Sequence, residues 1–275
     1  MKSLSTSGYF FSFVLLILTF PGLMAQNNNA DNFVPEVGQQ GKDVVWVPTP
    51  QELVDTMLAI AKVTPSDFLI DLGSGDGRTV ITAAKKGARA LGIEYNPKMV
   101  ELSKRNAAQE GVGSRAEFMQ GDLFEADLSK ATVITMFLLP EINLKLRPRL
   151  LELKPGTRIV SNTFTMGDWD PDLEVTTPEN WNSWTTALLW IVPAKVNGQW
   201  KIGNDELDIN QEFQMVRGTL TIAGKTLAIT DGRLDGKNIA FTAGAAHYKG
   251  VVEGTKMTGT VTTGSTNRSW SAVKM

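Results

Sequence analysis

The sequence predicts an α/β fold, a parallel sheet layered with helices, followed by a small all-β domain. Three observations predict it. Between residues 43 and 193, short apolar runs of strand character alternate with amphipathic helical patterns at the spacing of βαβ units. A glycine-rich turn, Asp71-Leu72-Gly73-Ser74-Gly75-Asp76-Gly77-Arg78, joins the first of those runs to the helix that follows it. Beyond Pro193 the helical period disappears. Short β-type runs there are punctuated by turn pairs such as Asn197-Gly198, Asp235-Gly236 and Glu253-Gly254, the texture of a small antiparallel barrel or sandwich over residues 194–275.

The elements follow in order. Thr49-Pro50-Gln51-Glu52 is a helix start: Thr49 is placed to cap, Pro50 to occupy the first helical position and Glu52 to complete a capping box. Leu53, Met57 and Ala61 then make one apolar face. Strands are expected over 67–72, 90–94, 116–120, 132–137 and 158–162, and helices over 78–86, 97–110 and 141–151. Pro148 weakens the end of the last helix. Residues 173–175 and 184–192 read as late strands closing the sheet. A segment of roughly 80 residues without disulfides is marginal alone, so the β domain is expected to pack on the first.

Composition narrows the chemistry. The chain has 275 residues, a formal net charge of -2, no Cys and one His. Without a basic excess or a basic run it carries no electrostatic footprint for nucleic acid. Without Cys it has no disulfide, thiolate nucleophile or Cys-ligated metal. A Ser-His-Asp triad or multi-His metal site has no histidines to draw on in the first domain, because His247 lies near the C-terminus and reads as a surface or hydrogen-bonded strand residue.

Residues 1–25 have signal-peptide form: Lys2, an apolar stretch over 9–20, a break at Pro21-Gly22 and a cleavage site after Ala25, with Leu23 bulkier than usual at the third position before it. Export to the periplasm or envelope is expected. An uncleaved segment would be the chain's only membrane contact. Residues 26–42, rich in Asn, Gln and Gly, read as a linker, with order beginning at Val44.

The glycine-rich turn carries the site. Gly73, Gly75 and Gly77 allow a tight turn and close approach of a ligand to the backbone around Ser74. Asp71 ends the first strand. Glu94, 23 positions on, ends the second, where a carboxylate can hold both hydroxyls of a ribose. Asp122 follows the third strand, placed to accept a hydrogen bond from an adenine amino group, with Leu123 or Phe124 against the ring. A dinucleotide site competes, but its fingerprint is G-x-G-x-x-G, and this chain has G-x-G-x-G. Charge separates the two. Asp71, Asp76, Glu94 and Asp122 would repel a pyrophosphate, whereas they suit S-adenosylmethionine, which has no phosphate and carries a sulfonium and an ammonium.

These residues resemble the class I methyltransferases. More narrowly, residues 43–170 resemble the seven-β-strand lysine methyltransferases that modify the ATP synthase c-subunit and adenine nucleotide translocase, and their bacterial relatives. The resemblance rests on Val47-Pro48-Thr49, residues 71–78, Gly92-Ile93-Glu94, Gly121-Asp122 and Phe137-Leu138-Leu139-Pro140. It implies a Rossmann-like sheet with helices on both faces and an extra antiparallel strand, S-adenosylmethionine as donor, and a protein lysine as one candidate acceptor. It also implies that Thr49 lies near the methionine end of the cofactor and that residues 138–140 line the acceptor side. Export and the β-rich C-terminal domain both depart from that family's pattern.

No catalytic base is assigned. Glu141, Asn143, Asn162 and Asp168 follow the fourth and fifth strands, and each reads foremost as a surface or capping residue. Trp169, Trp181, Trp184 and Trp190 read as core or interdomain packing ahead of an acceptor slot. Two other functions remain open on sequence: a sensor that binds S-adenosylmethionine without turnover, and a small-molecule methyltransferase with the β domain as acceptor lid.

Overall fold

The computed structural model describes Met1 and residues 33–178 and 183–275, and among these described residues it has four helices and fifteen strands. The expected signal peptide and Trp181 lie outside the described residues. Residues 35–275 form one compact unit. No helix among the described residues is long and apolar enough to cross a membrane.

The first sheet runs β3(Ala116–Gln120), β2(Arg89–Glu94), β1(Phe68–Leu72), β4(Val133–Met136), β5(Arg158–Asn162), β7(Thr186–Ile191), β6(Leu173–Thr176). The first five strands are mutually parallel, and β7 inserts antiparallel between β5 and β6. Strand order reverses at β1, so a crevice opens beyond the carboxyl ends of β1 and β4, the place where open parallel sheets bind ligands.

Alternation along each strand sorts the side chains between two cores. On one face Leu69, Val133 and Val160 pack beneath α1(Gln51–Ile60), α2(Arg78–Lys85) and α3(Pro97–Gln109). On the other, Ile70, Ile134 and Ile159 pack with Leu146 and Leu150 of α4(Pro140–Leu150) and with Trp169 and Trp190. Asp71, Thr135 and Asn162 belong by the same alternation to the first face, at the top of their strands.

Two local expectations are corrected. Helix α1 starts one residue late: Pro50 occupies the cap position and no side chain caps it. Tertiary partners take Thr49 instead. Its hydroxyl accepts from Asn162 Nδ2 at 3.3 Å and its carbonyl from Arg78 Nη1 at 2.8 Å. Order also begins before Val44. Residues 38–46 close a hairpin-like loop through Gly38 N to Trp46 O and Trp46 N to Gln39 O, at 2.8 and 2.9 Å. Helix α4 passes through Pro148 and ends at Leu150.

The C-terminal region is a closed, up-and-down, eight-stranded antiparallel barrel from β8(Gly198–Ile202) to β15(Thr266–Lys274). Closure leaves no sheet edge unpaired. Its interior is filled by Trp200, Leu207, Phe241, Tyr248, Met257 and Trp270 among others. The turn after β9(Asp205–Glu212) anchors it to the first sheet. Phe213 stacks on Trp169 at 5.8 Å, Trp169 Nε1 donates to Gln214 Oε1 at 2.9 Å, and Gln214 Nε2 donates to the Asp170 carbonyl at 2.8 Å. Buried Trp169 and Trp190 are therefore packing residues, and Trp169 packs against the turn after β9. His247 is exposed, its Nδ1 3.0 Å from Thr242 Oγ1.

Candidate cofactor and acceptor site

The crevice beyond β1 and β4 is a cleft of about 1050 Å³, counting the space open to solvent at its mouth. Thr49, Asp71, Gly73, Ser74, Gly75, Glu94, Asp122 and Leu123 all line it. Gly77 stands behind the turn at the N-terminus of α2, where a Cβ would come within 2.9 Å of Phe118 and Ser103. Every lining residue falls between positions 39 and 142, so no barrel residue contributes a wall.

The turn is held open from below. Gly73, Gly75 and Gly77 all take positive φ (76°, 55° and 84°), a path that side chains rarely follow. Helix α3 fixes its carbonyls: Ser103 Oγ donates to the Gly75 carbonyl at 2.8 Å and Asn106 Nδ2 to that of Asp76 at 2.9 Å. The Gly75 N–H instead meets Glu94 Oε2 at 3.0 Å, and Glu94 Oε1 accepts from Asn96 N at 2.9 Å. Two backbone donors thus hold the Glu94 carboxylate in one orientation at the end of β2.

Asp71 is buried, and its Oδ1 accepts from Thr135 Oγ1 on the neighbouring strand at 2.6 Å. Burial pushes its carboxyl up to about 7, against the hydrogen bond from Thr135, with the nearby Asp76 and Glu94 charges adding to the rise. Asp76 is paired with Arg78 at 2.5 Å. Asp122 Oδ1 accepts from Phe124 N at 2.8 Å, and its Oδ2 is paired with Lys42 at 2.5 Å. The hydrogen bond from Lys42 holds the Asp122 carboxyl below its usual range.

Sequence reasoning missed the front wall, residues 39–47. Lys42 also sits 5.1 Å from the Tyr95 ring centroid, and Trp46 Nε1 lies where a Cβ on Gly75 would be 2.5 Å away. The one signal for it was Val47-Pro48-Thr49, the end of that same segment. Of the polar groups after β4 and β5, Asn143 and Asn162 are buried and bonded, while Glu141 and Asp168 are exposed, Asp168 paired with Arg147.

The cleft suits a cationic nucleoside ligand. Five carboxylates line it (Asp43, Asp71, Asp76, Glu94 and Asp122), the lining cations Lys42 and Arg78 are already engaged by carboxylates, and buried Ser74 Oγ has no partner among the described residues. An unpaired buried hydroxyl in a ligand-sized wall is a group left for a ligand to satisfy.

Comparison with known proteins agrees. Residues 71–173 match the ANTKMT methyltransferase domain. The chain is 45% identical over 152 residues to the protein-lysine N-methyltransferase of Saccharolobus islandicus, spanning 54% of this chain and 94% of that protein. It is 35% identical over 128 residues to the human lysine N-methyltransferase of the ATP synthase c-subunit and spans about half of it, 54%. A crystal structure described as an RNA methyltransferase from Salinibacter ruber, in complex with S-adenosyl-L-homocysteine, superposes with a TM-score of 0.52. Its identity to this chain is 50%, with 55% of this chain and 96% of that one covered.

Fold and cleft together define an S-adenosylmethionine-dependent methyltransferase. The chain belongs to the family that includes the Saccharolobus islandicus protein-lysine N-methyltransferase.

Proposed function

We propose that the chain methylates the side-chain amine of lysine in a protein acceptor. The observation that carries this reading is the 45% identity over nearly the whole of an archaeal protein-lysine N-methyltransferase. The name of the Salinibacter ruber structure raises RNA as a second acceptor. A net charge of -2, without a basic run, speaks against it, because phosphate contacts dominate nucleic-acid affinity.

In this reading Glu94, oriented by Gly75 and Asn96, accepts from the two ribose hydroxyls. Asp122 accepts from the adenine amino group with Leu123 against the ring. Asp71, Thr49 and the turn from Gly73 to Gly77, with the free Ser74 hydroxyl, face the methionine end. S-adenosylmethionine bound there would supply an electrophilic methyl carbon, which a lysine amine that had already lost its ammonium proton to solvent would take as the C–S bond breaks and sulfur keeps the electron pair. The protein's part is to hold the amine in line and strip it of water, which favours its neutral, nucleophilic form.

The signal-peptide pattern of residues 1–25 supports action in the periplasm or envelope, and fractionation of the native host tests it. The decisive experiment for the acceptor is transfer of a tritiated methyl group from S-adenosylmethionine to envelope and cytosolic fractions. Methyllysine in the acid hydrolysate supports the reading. Label released by ribonuclease and resistant to protease overturns it, and cofactor binding without transfer favours a sensor.

A further inference from the structure

The carboxyl ends of β4 and β5 and the approach to β7 carry three half-buried aromatic rings, one at the edge of the donor cleft and two outside it. Phe137 follows β4 and lines the cleft. Phe164 follows β5 and stacks on Phe137, with centroids 5.9 Å apart and planes 18° from parallel. Trp184 precedes β7 and meets the Phe137 ring edge-on at 5.6 Å. All three are partly open to solvent, unlike the fully buried Trp169 and Trp190.

The backbone at this ledge is strained. Thr163 has φ 60°, a region a β-branched residue avoids. Phe164 N donates back to the Asn162 carbonyl at 2.6 Å, closing a three-residue turn of the rare, strained form. The surroundings hold it in place. Ser161 Oγ donates to the Phe164 carbonyl at 2.7 Å. Buried Asn143 Nδ2 donates to the carbonyls of Phe164 and Thr165 at 3.1 and 3.2 Å. Asn162 extends the scaffold to the donor cleft, accepting from Thr163 Oγ1 at 2.9 Å while its Nδ2 reaches Thr49 Oγ1. Strain so fully supported persists at sites where a fixed geometry is used.

We propose that Phe137, Phe164 and Trp184 form the acceptor wall, receiving the alkyl stem and ammonium of a lysine. This rests on the lysine reading above. Four methylenes need an apolar surface, and burial against it lowers the ammonium pKa toward the reactive form. Ring faces attract an alkylammonium within about 6 Å, which serves capture of the lysine and retention of a methylated one; that attraction favours the charged form, and the desolvation of the buried amine acts against it. Asn143 and the Thr163 turn act as positioning residues that aim Phe164.

The test uses the full chain and a short peptide with a single lysine, alongside the same peptide with monomethyllysine. Phe164→Ala and Trp184→Ala are chosen because neither ring lines the donor cleft. Each is expected to raise the peptide KM at least tenfold, leaving the S-adenosylhomocysteine Kd within about twofold of wild type. Phe164→Tyr should restore the KM. The unchanged Kd certifies the fold. Peptide kinetics that survive both alanine variants overturn the wall and leave the lysine reading standing, as does a donor Kd that weakens in step with KM. A wild-type enzyme that methylates only non-amine acceptors overturns the lysine reading, and this wall with it.

Discussion

Lys42 Nζ meets Asp122 Oδ2 at 2.5 Å, across the mouth of the cleft, from a segment that precedes the first helix. The other oxygen of Asp122 already accepts from Phe124 N. An adenine amino group reaching for Asp122 therefore competes with an ammonium.

Lys42→Ala should tighten S-adenosylmethionine binding about two- to fivefold, the small effect expected of an exposed ion pair. Association should quicken, and the gain should shrink as salt screens the pair in wild type. Stopped-flow binding at two ionic strengths measures both. Weaker binding in the variant would make Lys42 a clamp on the cofactor instead of a competitor.

Glu94→Ala removes a carboxylate that two backbone donors hold in place. Calorimetric titration should show S-adenosylmethionine affinity reduced by roughly 1.5–3 kcal/mol, the scale of hydrogen bonds to a charged group. An unchanged Kd would refute the ribose assignment.

Asp71 links binding to pH. Its carboxyl titrates near 7 in the ligand-free fold, well above its value in an unfolded chain. A sulfonium and an ammonium brought close favour the ionised form, so binding near pH 7 should release up to one proton. Titration in buffers of different ionisation enthalpy counts it. The folded state holds this proton through a range where the unfolded chain has lost it. Stability from this group is thus complete below about pH 4 and falls as pH rises toward 7. Asp71→Asn should flatten that slope in thermal melts and abolish the proton release.

Gln214→Ala leaves the buried Trp169 Nε1 without its acceptor. The expected cost is about 1–3 kcal/mol, read as a lower denaturant midpoint. Because no barrel residue lines the cleft, the S-adenosylmethionine Kd should not move. A coupled loss of affinity would show that the barrel acts on the site at a distance.

The sequence by itself determined the strands, the glycine turn and the acidic residues at the ends of the first three strands. Each rests on a local cause: period, turn chemistry, or a carboxylate a fixed few residues from a glycine. The closed barrel was legible only as a barrel or sandwich, because hairpin turns set neighbour pairing and say nothing of whether β15 returns to β8. Tertiary structure alone decided what Thr49 does. Its local pattern is that of a helix cap, yet Asn162, 113 residues away in sequence, and Arg78 claim its oxygens. Tertiary structure likewise folded residues 39–47 across the cleft. Residues 39–42 read as the end of a polar linker, and the contacts that order the segment, Lys42 to Asp122 and Trp46 against Gly75, exist only once the sheet has brought those partners together.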